Sequence, residues 1–423
     1  MRRAWVLSLL PLLHAAALSA QQTIQLPERD RALAVEPVEL FRVGGAEGTG
    51  WQEFARVTQM AFDAQGNLYV LDPQSQRVVV IDPRGGLVRT HELQGDGPGE
   101  FRTPVALSVT REGELVVFDV GHMGFLRFGP DGRFLGQQAQ PLEQGLPIRG
   151  FALDQAGRVV FSTDGLTIRT SESAEGPPPD RRPIRRVDLT GGAASGVAYN
   201  AWKLAAEERP TQMSGGGMRF SVGASEVAMA PGLYYGLLPG GRLAVSDSVD
   251  YAVKVVGANG GIERVLRRPI APRRLTDADR EAYKEERLAG VSGGGGGTGV
   301  MILQGGGSGS AGGTRSMSID QKAMREMVSQ QLEQATFAEE RAVLAGLSTD
   351  WGGRIWVERS GRRVGEDGPI DVIDASGEYL GTVAPNGMRL PVAFGPDGRM
   401  AYVDLDDLDI PSVVVRQLPA TLR

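Results

Sequence analysis

A seven-residue strand pattern led by glycine recurs six times in this chain, and the recurrence limits the fold more than any other feature. It reads GNLYVLD (66–72), GELVVFD (113–119), GRVVFST (157–163), GRLAVSD (241–247), GRIWVER (353–359) and GRMAYVD (398–404). The leading glycines are 47, 44, 84, 112 and 45 residues apart. Three of these intervals, 47, 44 and 45, are those of a propeller with one four-stranded blade per repeat. A second glycine turn follows at nearly fixed distance, with Gly85, Gly132 and Gly260 each 19 residues after the first. Each repeat therefore reads strand A, turn, strand B, loop, strand C, turn, strand D. Glycine makes up 59 of 423 residues, roughly twice the usual share, as this many tight turns require.

The ends of the chain show how the ring closes. GTGWQEF (48–54) matches GDGPGEF (95–101) at the 47-residue offset that relates Gly66 to Gly113. Residues 38–43 are then a strand D with no A, B or C before it, while the last repeat supplies A, B and C (413–418) and no D. We expect an all-β, six-bladed β-propeller over 36–423, closed by its N-terminal strand, so that no sheet edge is left open.

Two intervals are long. Residues 273–340 read as a helical insertion between blades 4 and 5. A Thr276-x-x-Asp279 start and Gly290 bound one helix over 276–289. A second, over 319–332, puts Ile319, Ala323, Met327, Val328 and Leu332 on one face, with Met324 beside them. Between them 293–313 holds 12 Gly in 21 residues, a flexible tether by composition. The 84-residue interval contains a Pro-rich stretch (176–183), an Arg-rich strand (184–189) and a polar excursion (200–217); it leaves room for a seventh blade within 165–225.

Blade 1 carries a recognisable repeat. DAQGNLYVLDPQSQRVVVIDPRGGLV (63–88) followed by GDGPGEFRTP (95–104) resembles the NHL repeat, with its DxxGxxYVxDxxxxRVxxFDxxG core and GxGxGxFxxP connector. Blade 2 keeps the connector and most of the core but has Gly124 where blade 1 has Arg77, and blades 4 to 6 keep only the turns and scattered Asp. The resemblance implies a six-bladed propeller, a fold shared by scaffolds that bind protein or RNA and by secreted lyases and hydrolases; it implies no single function. None of the five Trp is followed by Asp, which disfavours the WD40 alternative.

In an up-and-down meander the A–B and C–D turns lie on one face of the ring, and the B–C loops and D–A connectors on the other. The first face reads as short and Gly-rich throughout. The second collects the irregular segments, 164–180, 361–369, 404–409 and the insertion, and such gathering marks a binding face. Candidate ligand residues there are Asp72, Arg77, Asp119, His122, Asp247 and Asp404. The four Asp end strand B, where an Asx-turn role competes with ligand contact at the channel mouth. Arg77 reads as paired to a neighbouring carboxylate between blades or as a bidentate donor to a ligand.

Chemistry-bearing motifs are sparse. After the leader only His91 and His122 remain, both expected at the surface, so a three-histidine zinc site is ruled out. No P-loop, G-x-S-x-G or H-E-x-x-H is present. The run Asp404, Asp406, Asp407, Asp409 offers calcium-type oxygens, but Leu408 breaks the spacing and a solvated acidic loop is the plainer reading. No catalytic residue, metal ligand or cofactor is assigned.

The first twenty residues read as a signal peptide, with Arg2 and Arg3 ahead of an apolar stretch and small residues at 15–20. With no Cys the mature end cannot take a lipid on that residue, and no disulfide, thiol nucleophile or iron–sulfur site is available. Losing Arg2 and Arg3 takes the formal charge from −6 to −8, against a nucleic-acid partner. We expect a periplasmic or secreted monomer, not membrane-spanning, that binds a protein, peptide or glycan; the alternative is a metal-dependent hydrolase or lactonase, for which Asn ligands are scarce.

Overall fold

The computed structural model describes residues 22–162, 181–189, 196–205, 213–215, 218–220, 227–292 and 321–423. The expected leader and the glycine tether lie outside the described residues. Six four-stranded antiparallel meanders follow one another around a ring. Blade 1 comprises strands A (Gln59–Phe62), B (Leu68–Asp72), C (Arg77–Ile81) and D (Leu87–His91). The last blade takes Ala393–Phe394, Arg399–Leu405 and Pro411–Gln417 from the C-terminal end, and its outer strand is Val38–Gly44. That strand pairs antiparallel from Val38 opposite Gln417 to Gly44 opposite Ser412, so the chain closes its own ring. Strands C and D of blade 3 (Arg181–Val187, Gly196–Trp202) occupy the 84-residue interval. Between them and strand A of blade 4 (Tyr234–Leu238) the only described strands form a two-stranded hairpin, Met213–Gly215 with Met218–Phe220, and the ring has six blades.

The turn chemistry explains why the repeat reads so clearly. At the end of strand A, Asp63 accepts from the Asn67 N–H at 2.9 Å, Asp154 from Arg158 at 3.0 Å and Asp350 from Arg354 at 2.9 Å. Thr110 does the same for Glu114 through its hydroxyl. These are Asx and ST turns that end on a left-handed residue. Gly353 shows why that residue is glycine: its φ is +83°, and a Cβ there would meet Pro239 Cδ at 3.0 Å.

Hydrophobic cores fill the spaces between blades. Leu71, Val80, Leu107 and Leu126 pack between blades 1 and 2, and Trp356, Met400, Tyr402 and Val414 between blades 5 and 6. Strands buried on both faces read as continuous apolar runs such as Leu68–Asp72.

Residues upstream of 36, left outside the expected propeller, run along its outer rim. Gln22–Gln25 adds a parallel fifth strand to blade 4, in register from Gln22 and Arg264 to Gln25 and Arg267. The chain then reaches blade 5, where the Leu33 N–H donates to the Thr382 carbonyl at 2.9 Å and the Thr382 N–H to that of Arg31 at 2.8 Å. Below this belt the fully buried Arg268 and Asp371 pair between blades 4 and 5, and Asp30 of the belt adds a 2.7 Å contact to Arg268.

The insertion is helical and sits between blades 4 and 5. A two-residue ladder, Arg273–Arg274 against Glu340–Arg341, pinches its base. Helix α1 (Asp277–Ser292) starts from a reciprocal cap: the Asp279 N–H donates to the Thr276 hydroxyl oxygen, and the Thr276 N–H to the Asp279 carboxylate at 3.0 Å. It runs through Gly290, which costs a helix about 1 kcal/mol without ending it. Helix α2 is Gln321–Glu333. Of the expected stripe, Leu332 is buried and Val328 half-buried; Ile319 and the side chains of Ala323, Met324 and Met327 lie outside what is described.

Candidate functional site

The six A strands enclose a central channel of about 1200 Å³. One position in each strand keeps it open. Ala61, Ser108, Ala152, Gly236, Ser348 and Ala393 occupy equivalent register positions, each five residues before the leading glycine of its repeat. All six are small, and all line the channel. Neighbouring A strands are stapled by polar side chains: Gln59 Oε1 accepts from the Leu107 N–H at 2.9 Å, Ser108 Oγ from Leu153 at 3.2 Å, and the Thr349 hydroxyl donates to the Leu237 carbonyl at 2.8 Å.

At the turn face the channel mouth is crossed by one contact. The Arg111 guanidinium carbon lies 4.7 Å from the centroid of the Trp351 ring, a cation–π distance. Arg111 belongs to the A–B turn of blade 2 and Trp351 to that of blade 5. Blades 2 and 5 stand opposite each other in a ring of six, so the stack is a bar across the bore.

The loop-rich face is built up on the side of blades 3 to 5. The connector from blade 3 to blade 4 meets the insertion through Ala228, whose N–H donates to the Thr336 carbonyl at 2.7 Å and whose carbonyl accepts from Ala338 at 2.9 Å. Val227, Leu275 and Ala338 form a small core of their own, packed by Leu204, Met229 and Ala230. Tyr283 and Phe337 meet edge to face at 5.9 Å. Arg341 ties this assembly to the B–C loop of blade 5 by donating to the Arg363 carbonyl at 2.9 Å. At the edge of that loop Glu358, half-buried on strand B, has its carboxyl pushed up, chiefly by desolvation. The sequence reading passed over Glu358; its position opposite a side-chain-free Gly346 in strand A is the signal that would have found it.

The six candidate ligand residues fall in four separate blades, and none of them lines the channel. Asp72 is fully buried and accepts from the Ala55 and Arg56 N–H groups at 3.1 Å, from Ser75 and from Arg77 Nε. Its carboxylate therefore holds the connector that precedes the blade as well as the loop that follows. Arg77 pairs with it within one blade, not between blades, and donates to the Glu53 carbonyl at 2.5 Å. Asp119 repeats the arrangement with the Arg102, Thr103 and His122 N–H groups. Asp247 is held by Lys254 at 2.6 Å and by the Trp202 N–H at 2.7 Å. Asp404 is partly exposed and shared among Arg42, Arg389 and Arg416.

Neither histidine is a surface group. The His122 side chain is only 10% exposed; its Nδ1 lies 3.3 Å from Asp119 Oδ1 without hydrogen-bond alignment, and Nε2 has no hydrogen-bond partner. His91 packs at 5.0 Å on the ring of Phe128, and burial, assisted by Arg89, lowers its pKa to about 4. His91 sits where blades 1 and 2 press together, which the sequence neighbours alone did not show. In the acidic loop Asp406 accepts from the Leu408 and Ile410 N–H groups, a turn role. Among the described residues no group of three His, Asp or Glu side chains converges to hold a metal ion.

No protein-family model matches the chain, and no curated protein matches it in sequence. Solved structures do resemble it. A member of the DUF4221 family from Bacteroides vulgatus is 11% identical, with 92% of this chain and 99% of that one covered and a TM-score of 0.48. A Bacteroides fragilis protein assigned to export is 11% identical over 94% and 99% of the two chains, with a TM-score of 0.46. A gluconolactonase from Xanthomonas campestris is 13% identical over 92% and 100%, with a TM-score of 0.37. These likenesses leave the activity of this chain to its own side chains. Among the described residues no helix is long and apolar enough to cross a membrane.

Proposed function

We propose that this chain is an exported binding propeller that holds a protein, peptide or glycan partner on its loop-rich face. The observation that carries the reading is the joint construction of that face: the insertion and the connector through Ala228 share a core and hydrogen bonds, and Arg341 at the base of the insertion bonds the B–C loop of blade 5. A platform with its own core on a rigid ring is how recognition surfaces are mounted. Export rests on the leader-like first twenty residues, and an NHL-type ring on the blade 1 and 2 motifs. The hydrolase or lactonase alternative finds less support, because the carboxylates at the B–C positions are spent on backbone amides and cations within their own blades.

The ladder at 273–274 and 340–341 makes the test clean. Replacing 275–339 by a short Gly/Ser linker keeps the ladder and removes the platform. Cross-linking in the native extracytoplasmic fraction, followed by mass spectrometry, should recover a partner with the full chain and not with the excised one. Equal recovery from both, with both folded, would overturn the reading.

A further inference from the structure

The channel itself carries an uncompensated positive charge. Six charged residues line it, Arg111, Glu112, Glu114, Arg149, Asp154 and Asp350. Three of the carboxylates are neutralised at once: Glu114 by Arg127 at 2.7 Å, Asp154 by Arg158 at 2.8 Å and Asp350 by Arg354 at 2.9 Å. Arg149 makes no ion pair among the described residues, and Arg111 has only the face of Trp351. Glu112 alone opposes them. In a chain of net charge −6 a narrow bore with two free guanidinium groups focuses a field that attracts anions.

Geometry narrows the anion. Arg149 sits in the Pro147–Gly150 turn just ahead of strand A of blade 3 (Ala152–Leu153), on the loop-rich side, and Arg111 just past the end of strand A of blade 2, on the turn side. In repeat register Arg149 stands eight residues before Gly157 and Arg111 two before Gly113, six positions apart, so the two levels are separated by at most roughly 20 Å at about 3.3 Å per extended residue. A volume of 1200 Å³ over that length is a bore roughly 9 Å wide, near the spacing of two packed sheets and so about one extended chain across. A compact anion would meet one arginine; an extended one meets both.

We propose that the channel binds a slender, extended acidic chain, which enters from the loop-rich face past Arg149 and ends at Arg111, held against Trp351. This goes beyond the platform reading and does not depend on it. The probe is fluorescein-labelled hexaglutamate, followed by anisotropy at low and moderate salt. Arg149→Ala and Arg111→Ala should each weaken binding about tenfold or more, as loss of a charge-assisted bidentate donor does, while Arg149→Lys restores part of it. Ala393→Trp should block the bore, with a retained cooperative melting transition showing that the ring is still folded. Absence of binding to the full chain, unchanged affinity in both alanine variants, or equal binding of hexalysine or citrate would overturn the proposal. The chain lacking 275–339 should still bind hexaglutamate, so a failed platform and a failed channel give different results.

Discussion

Arg268 donates from Nη1 to both carboxylate oxygens of Asp371 at 2.9 Å, and neither side chain is exposed to solvent. The pair joins strand C of blade 5 to the end of blade 4, and Asp30, Arg359 and the Tyr379 ring surround it. A buried pair of this kind is weak evidence of net stabilisation, but breaking it leaves a charge without compensation. Asp371→Asn should therefore cost about 3 to 5 kcal/mol by urea unfolding. An unchanged midpoint would mean that Asp30 alone satisfies Arg268 and Arg359.

Ring closure gives a second expectation. Removing residues 22–45 takes away the outer strand of blade 6 and exposes the edge at Pro411–Gln417, so stability should fall by several kcal/mol, on the order of the largest single-site losses or more. Removing only 22–37 strips the belt from blades 4 and 5 and should give an intermediate loss. Melting within a degree or two of the intact chain in the longer deletion would contradict closure.

His91 makes the fold sensitive to mild acid. Its folded pKa is held near 4 by burial, below the value of about 6.5 in an unfolded chain. Above pH 6.5 it is neutral in both states and contributes no pH dependence. Between 6.5 and 4 the unfolded state takes up a proton that the folded state refuses, so stability should drop through that window and level off below it. His91→Leu should flatten this part of the profile; a profile of the same slope would assign the acid sensitivity elsewhere.

Close approach of two A strands supplies a fourth test. A Cβ on Gly236 would lie 2.6 Å from Thr349 Oγ1, which is fixed by its bond to the Leu237 carbonyl. Gly236→Val should cost about 1 to 3 kcal/mol through overpacking, whereas Ala152→Ser, at the equivalent level of blade 3, should be close to neutral.

Much of this architecture was legible because blades are local objects. Four of the A–B turns are set by an acid or hydroxyl and a glycine within four residues, as at Asp63 and Gly66, so the repeat survives in the sequence. The belt of small channel residues was equally visible, five positions before each leading glycine, but only once strand A is known to face the axis. What the sequence hid is contact between blades. The partners Arg268 and Asp371 are 103 residues apart, and Arg111 finds Trp351 only because six blades bring the second opposite the fifth. The carboxylates at the ends of strand B were conspicuous for the same local reason; Asp72, Asp119 and Asp247 fasten the chain that leads into their blades, while Asp404 is held by Arg42 of the distant closing strand.

The closing strand has a kinetic consequence. Val38–Gly44 is made before any blade, yet its partner, Pro411–Gln417, is among the last segments of the chain. During synthesis its Phe41 and Val43, opposite Val415 and Val413 in the closed ring, must wait unpaired for hundreds of residues, while the strands of blades 1 to 5 pair with neighbours close in the chain. Folding should thus be fast blade by blade and slow at the final clasp, since joining distant segments is what retards a chain. Until the clasp forms, an open strand edge stands ready to pair with a second copy.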